Sequence, residues 1–243
     1  MQLYIIRHAQ STNNALTDQK DRTYDPPLTD LGHRQAQAVA DFLANGLPLD
    51  ERLFSGNNLN GSTPRGFGIT RLYCSPMLRT LQTAQPISAA LGLAPEVWVD
   101  IHEHGGLFLE YADERGVVGF PGLTRSQIAE QFSHYLLPDA ITEQGWWNPA
   151  HGMESDEASI ERAVKVAAAL RQQAASQERI AVVTHGTFAN HLIKAIFDQL
   201  PGRNLYYYHY NTAISRIDFY SDGGLALAYL NRVDHLRPEL ISA

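Results

Sequence analysis

A chain of 243 residues, 44% hydrophobic and 19% charged with a formal charge of −7, is long enough to bury roughly three quarters of its unfolded surface. It also lacks the apolar depletion of a disordered sequence. Its one cysteine, Cys74, excludes a disulfide framework or a thiolate metal cage and fits a reducing, cytoplasmic setting. No apolar run approaches the roughly 20 residues of a membrane span, and the acidic balance argues against a nucleic-acid-binding face.

Leu3-Tyr4-Ile5-Ile6 predicts a buried strand; the charged and apolar regions of a secretory leader are absent there, so none is expected. Residues 29–45 read as a helix, with Thr29 as N-cap and Leu31, Ala38, Val39, Phe42 and Leu43 near helical spacing. From 46 to 68 periodicity stops among Gly, Pro and Asn residues, which predicts a long functional or flexible loop. Ile69 to Cys74 reads as a second buried strand. Ser75-Pro76 then opens a helix, Ser75 as N-cap and Pro76 at its first position, running to about Leu91 before Gly92.

Val97-Trp98-Val99 is a short strand candidate, and residues 105–150 read as an excursion carrying a short helix near 125–136. An amphipathic helix is predicted over 155–176, with Ser155 as N-cap and Asp156 and Glu157 where the helix dipole favours anions. Ile180 to Val183 is the clearest strand, followed by His185-Gly186 and a helix near 187–199. Two strands, 213–219 and 225–230, close the chain around the turn Ser221-Asp222-Gly223-Gly224. Strands alternating with helices predict an α/β three-layer sandwich, a mainly parallel central sheet with helices on both faces.

Ligands of open α/β sheets sit at the carboxyl ends of the strands. Four predicted strands end in reactive residues: Arg7-His8, Ser75 to Arg79, His102-Glu103-His104, and Thr184-His185-Gly186. Singly, each has a plain alternative: an Arg-His pair is often a solvated strand end, and His185 could be a satisfied core histidine. Arg7 and His8 share a pocket only if the chain leaves strand geometry between them. Arg79 sits in the first turn of its helix, where a cation is disfavoured unless it and the helix N-terminus serve one anion. Together these residues match phosphoryl transfer, which needs stabilised negative charge, a nucleophile and a proton donor.

Arg7-His8-Ala9-Gln10-Ser11-Thr12-Asn13-Asn14 resembles the Arg-His-Gly-Glu-Ser-x-x-Asn signature of the histidine phosphatase superfamily, the phosphoglycerate mutase-like clan. Leu28 to Gly32 with Gln35-Ala36, Ser75 to Ala84, Glu154-Ser155, Val182 to Gly186, and Asn211 to Ile214 resemble its later motifs in order. The resemblance implies one domain over 1–243 with insertions at about 46–68 and 105–150 near the active site. It implies that His8 is the nucleophile, that Arg7, Arg79 and His185 hold phosphoryl oxygens, that Asn14 adds a neutral donor, and that Glu103 is the proton donor. No metal and no cofactor are implied, and the partners are a small phosphorylated substrate and inorganic phosphate as product.

Two positions depart from the pattern. Ala9 stands for a Gly that would approach the phosphate closely, and Gln10 for a Glu. The excursion carries only isolated Arg115 and Arg125 in place of the paired Arg of a true phosphoglycerate mutase, which favours a phosphomonoesterase. The alternatives are a mutase-type phosphotransferase, a non-enzymatic phospho-ligand-binding protein, and a metal-dependent hydrolase using His102, Glu103, His104, His151 and His185. Trp146-Trp147, Phe108, Tyr111, Phe120 and Tyr206-Tyr207-Tyr208 read as local core rather than as pocket lining.

Overall fold

The computed structural model describes residues 1–47, 66–200 and 204–243; most of the expected 46–68 insertion therefore lies outside the described residues. The central sheet contains β1 (Gln2–Arg7), β2 (Arg71–Cys74), β3 (Glu96–Val97), β6 (Arg179–Thr184), β7 (Ile214–Phe219) and β8 (Leu225–Arg232), and β4 (Phe108–Glu110) pairs with β5 (Val117–Gly119) as a separate hairpin. The helices are α1 (Asp30–Asn45), α2 (Leu78–Leu91), α3 (Arg125–Gln131), α4 (Asp156–Arg171) and α5 (Gly186–Ile196). The sheet order is β3-β2-β6-β1-β7-β8. β1, β2, β3 and β6 run parallel, and β7 runs antiparallel to both of its neighbours, β1 and β8.

Alternation along the strands builds two cores. Tyr4, Ile6, Leu72, Cys74 and Val183 face α1 and α2, packing with Val39, Leu43, Leu81 and Ile87. Leu3, Ile5, Tyr73, Ile180 and Val182 face α4 and α5, packing with Val166, Leu170, Phe188 and Leu192. The predicted sandwich is the observed one. Register then decides where the chemistry emerges. Arg7 pairs with Thr184 and Cys74 with Val183, so His8, Ser75 and His185 leave three adjacent strands at the same edge.

Several boundaries differ from the sequence reading. α2 starts at Leu78, and its N-cap is Met77, which makes no side-chain cap bond. The Ser75 hydroxyl instead lies 2.9 Å from His185 Nε2. α3 ends at Gln131, after a capping box between Thr124 and Gln127, and α4 ends at Arg171. β3 is only two residues, because Val99–Ile101 winds into a 3-10 turn. The β4–β5 hairpin within the excursion was not anticipated. Gly32 is required by close approach: a Cβ there would lie 2.1 Å from the Gln10 carbonyl oxygen, where the first turn of α1 abuts the segment after His8.

Candidate active site

β1 ends at Arg7, and the chain leaves strand geometry before His8, which meets the condition for the two side chains to share a pocket. Two backbone bonds and one from a side chain fix this bend. His8 N–H donates to Thr184 O at 2.8 Å, Thr212 N–H to Arg7 O at 3.0 Å, and Asn211 Nδ2 to His8 O at 3.0 Å. Thr212 adopts φ 58°, a left-handed conformation that is uncommon for a β-branched residue and is held here by its neighbours. A cavity of about 310 Å³ opens at this point, lined by Arg7, His8, Asn14, Arg79, Glu103 and residues of the surrounding loops.

His8 is 3% exposed. Its Nδ1 lies 2.7 Å from Ala9 O, and a carbonyl can only accept, so Nδ1 carries the proton. Nε2 is left with its lone pair, which accepts from Arg79 Nε at 3.2 Å. Burial, followed by the charges of Arg79 and Arg7, holds His8 well below the usual histidine range. The imidazole is therefore neutral near pH 7, with Nε2 as its nucleophilic atom. His185 stands behind it, ring centroids 5.2 Å apart. It is fully buried, is absent from the cavity lining, and is likewise kept neutral by burial and by Arg79.

Two guanidinium groups supply the charge. Arg7 Nη1 donates to His209 O at 2.5 Å, while its buried Nε has no protein acceptor among the described residues. Arg79 is 8% exposed; Asp25 Oδ1 lies 3.9 Å from its Nη1 and accepts the Leu78 N–H at 3.0 Å. The Asn14 side-chain oxygen accepts both the N–H and the hydroxyl of Ser11 at 3.0 Å, which leaves its Nδ2 to donate into the cavity.

Ala9 makes no demand for left-handed backbone. It is fully buried, packed with Leu28 and Ala36, and its N–H donates to Thr83 Oγ1 at 3.0 Å. Gln10 is turned to α1, where its Oε1 accepts from Thr29 Oγ1 at 2.8 Å.

Glu103 meets the start of α5. Its Oε1 accepts from Phe188 N–H at 2.9 Å and from His104 N–H at 2.9 Å, and Oε2 lies 3.4 Å from Thr187 N. Gly105 and Gly106 follow with φ 89° and 71°, turning the chain under Phe108 and Trp147, which a Cβ at either glycine would strike.

A buried network below fixes this segment. Arg162 donates to Glu154 Oε1 at 2.8 Å and Oε2 at 2.6 Å, and to the carbonyls of Asp100 at 2.7 Å and His102 at 2.8 Å. Both side chains of this ion pair are 8% exposed. Arg162→Leu strands the buried Glu154 carboxylate and is expected to cost about 3–5 kcal/mol in urea unfolding. Glu154, held down to about 2 by Arg162 and His102 against the opposing effect of burial, makes its contribution above the unfolded carboxylate value, losing it only in acid.

The structure thus gathers Arg7, His8, Asn14, Arg79 and Glu103 around one cavity, with His185 behind His8. Sequence reasoning missed Asp25 and Arg162 as supports, because each acts across the fold; Ser75 and Thr83 lay within the Ser75–Ala84 motif, and Asn211 and Thr212 within Asn211–Ile214, but their supporting contacts were not read from it. The five residues of the metal-hydrolase alternative are not gathered. His102 packs between Trp146 and Trp147, at 5.5 and 5.2 Å, and His104 Nε2 lies 2.8 Å from Asp156. Among the described residues no group of three or more His, Cys, Asp or Glu side chains is placed to hold a metal ion, and no helix is long and apolar enough to cross a membrane.

Comparison with known proteins extends this picture. PE-PGRS family protein PE_PGRS11 of Mycobacterium tuberculosis is 34% identical over 104 residues, covering 42% of this chain and 14% of that protein. The chain therefore matches only a small part of that relative's length. A mycobacterial glucosyl-3-phosphoglycerate phosphatase superposes with a TM-score of 0.54 at 20% identity, over 96% of this chain and 99% of the other. YhfR of Bacillus stearothermophilus gives 0.57 at 18%, over 96% and 98%. A phosphoserine phosphatase variant from Entamoeba histolytica, in complex with phosphoserine, gives 0.52 at 19%, over 97% and 99%. At these identities the likeness is one of fold. The sequence itself matches the profile of the histidine phosphatase superfamily, branch 1, over residues 3–57 and 59–232, and with nearly the whole chain so matched, the protein belongs to that superfamily.

Proposed function

We propose that the protein is a phosphomonoesterase that hydrolyses small phosphorylated metabolites through a phosphohistidine on His8, as one domain over 1–243 in the cytoplasm and without a cofactor. One observation carries this reading: a buried, neutral His8 whose Nδ1–H is committed to Ala9 O and whose Nε2 lone pair meets Arg79 at the cavity floor. In the first step Nε2 bonds to phosphorus, the bond from phosphorus to the ester oxygen breaks, and Glu103 gives the leaving oxygen a proton. In the second, Glu103 takes a proton from water, the water oxygen bonds to phosphorus, and the P–N bond breaks to release orthophosphate and restore His8. Arg7, Arg79 and Asn14 face the equatorial oxygens, where charge accumulates, while His185, which the resemblance assigns to the same task, stands behind His8 and off the cavity wall.

The excursion favours hydrolysis over a mutase reaction. Arg115 is bound to Asp113 at 2.7 Å and lies 3.6 Å above the Tyr111 ring. Arg125 donates to the carbonyls of Pro138 and Ile141 at 2.9 and 3.2 Å. Neither lines the cavity, so among the described residues the excursion brings no Arg to it to grip a substrate carboxylate. A phosphate-release screen over sugar phosphates, phosphoglycerates, nucleotides and phosphoproteins tests the reading. Release from a small metabolite that withstands a chelator is expected. Bisphosphate-stimulated interconversion of phosphoglycerates would contradict it.

A further inference from the structure

Asp25 lies between the signature segment and α1, and its side chain is 6% exposed. Its Oδ1 accepts the N–H of Leu78 at 3.0 Å, the first residue of α2, whose own N-cap Met77 has no oxygen to offer. The same oxygen is 3.9 Å from Arg79 Nη1. Oδ2 is buried and has no hydrogen-bond partner among the described residues. At the other end of that guanidinium, Arg79 Nε reaches His8 Nε2 at 3.2 Å. Carboxyl, guanidinium and imidazole therefore form one chain leading from a side chain outside the cavity to its floor.

The cap alone does not call for an acid. Asn or Ser would accept the Leu78 N–H as well, and a buried carboxylate with one oxygen unpaired is costly. What Asp adds is a negative charge beside Arg79, in a site read as taking a dianion. Arg79 from α2 is the charged group that acts on Asp25, and around Arg79 stand Asp25, Glu103, Arg22 and Arg7, with His8 at its Nε. Burial keeps His8, and His185 behind it, well below the usual histidine range. Burial also pushes the Asp25 carboxyl up to about 6, against the pull of Arg79 and the Leu78 N–H.

We propose that Asp25 is a positioning residue acting through Arg79: it caps α2 so that the guanidinium stands against His8, and its charge weakens the hold of the site on an oxyanion, so that oxyanion binding draws a proton onto Asp25. Two like charges near one cation disfavour each other, and proton uptake relieves that conflict. This rests on the reading of the cavity as a phosphoryl site.

Sulfate is the probe, because it stays a dianion across the range and any pH dependence belongs to the protein. Calorimetric titration of wild type is expected to show affinity falling roughly tenfold from about pH 5.5 to about pH 7.5, with protons taken up per sulfate bound when buffers of different ionisation enthalpy are compared. Asp25→Asn keeps an oxygen for the Leu78 N–H and removes the charge. It is expected to bind at the higher pH about as tightly as wild type does at the lower, with most of the slope gone. Glu103→Gln, run in parallel, is expected to keep the slope.

Equal affinity and slope in Asp25→Asn and wild type would overturn the proposal, as would a slope that vanishes in Glu103→Gln instead. A less stable Asp25→Asn with the wild-type slope would reduce Asp25 to a cap. If that variant does not fold, proton uptake by Glu103→Gln decides: none overturns the proposal. Sulfate binding without proton linkage removes Asp25's role alone. Absence of sulfate binding at any pH, with His8→Ala still active, removes the phosphoryl-site reading as well.

Discussion

His8→Ala is expected to lower phosphate release by at least about 10⁴-fold, with circular dichroism and sulfate binding close to wild type. The size follows from the absence of a substitute nucleophile among the described residues. His185 is the nearest other imidazole, yet it is fully buried and its Nε2 is engaged with Ser75 Oγ at 2.9 Å. Arg7 and Arg79 would still collect the oxyanion, so binding outlives turnover, and the variant separates the two roles. Activity within tenfold of wild type would mean that the P–N bond is not on the pathway.

Glu103→Gln is expected to discriminate between leaving groups. Alkyl phosphates leave as strongly basic alkoxides and need a proton in the transition state, so their turnover is expected to fall about 10²–10⁴-fold. An activated aryl phosphate leaves as a stabilised phenolate, and its first step is expected to change by less than about tenfold. The substitution keeps an oxygen for the Phe188 N–H, which Oε1 accepts at 2.9 Å, so the segment stays in place. Equal losses for both substrate types, read from single-turnover rates, would assign Glu103 to positioning rather than to proton transfer.

Sequence reasoning reached residues whose role depends on local signals, and missed those whose role depends on contacts across the fold. Arg7, His8 and His185 stand where apolar runs end, and parallel register brings such ends to one edge. Arg79 was conspicuous as a cation in the first turn of a helix. Ser75, by contrast, was misread: Ser-Pro before a helix is a capping pattern, yet its hydroxyl serves His185, and the α2 cap comes from Asp25, 53 residues away in sequence from Leu78. Arg162 sits inside the helix read as amphipathic with no local signal to mark it, and its worth comes from carbonyls 60 and 62 residues away. The β4–β5 hairpin escaped because its strands are three residues each, too short for alternation to register.

The same contrast explains the net charge. An overall −7 describes the surface, while buried Arg79 and partly buried Arg7 concentrate positive charge at one cavity.

Rapid acid or alkaline quench of the wild-type enzyme during turnover of a phosphomonoester, followed by peptide mapping, tests the central claim most directly. The account predicts phosphate covalently bound to the peptide containing His8, stable to alkali, lost in acid and absent from His8→Ala. Turnover at the wild-type rate with no phosphate on His8 at any quench time, under conditions that retain phosphohistidine, would contradict it.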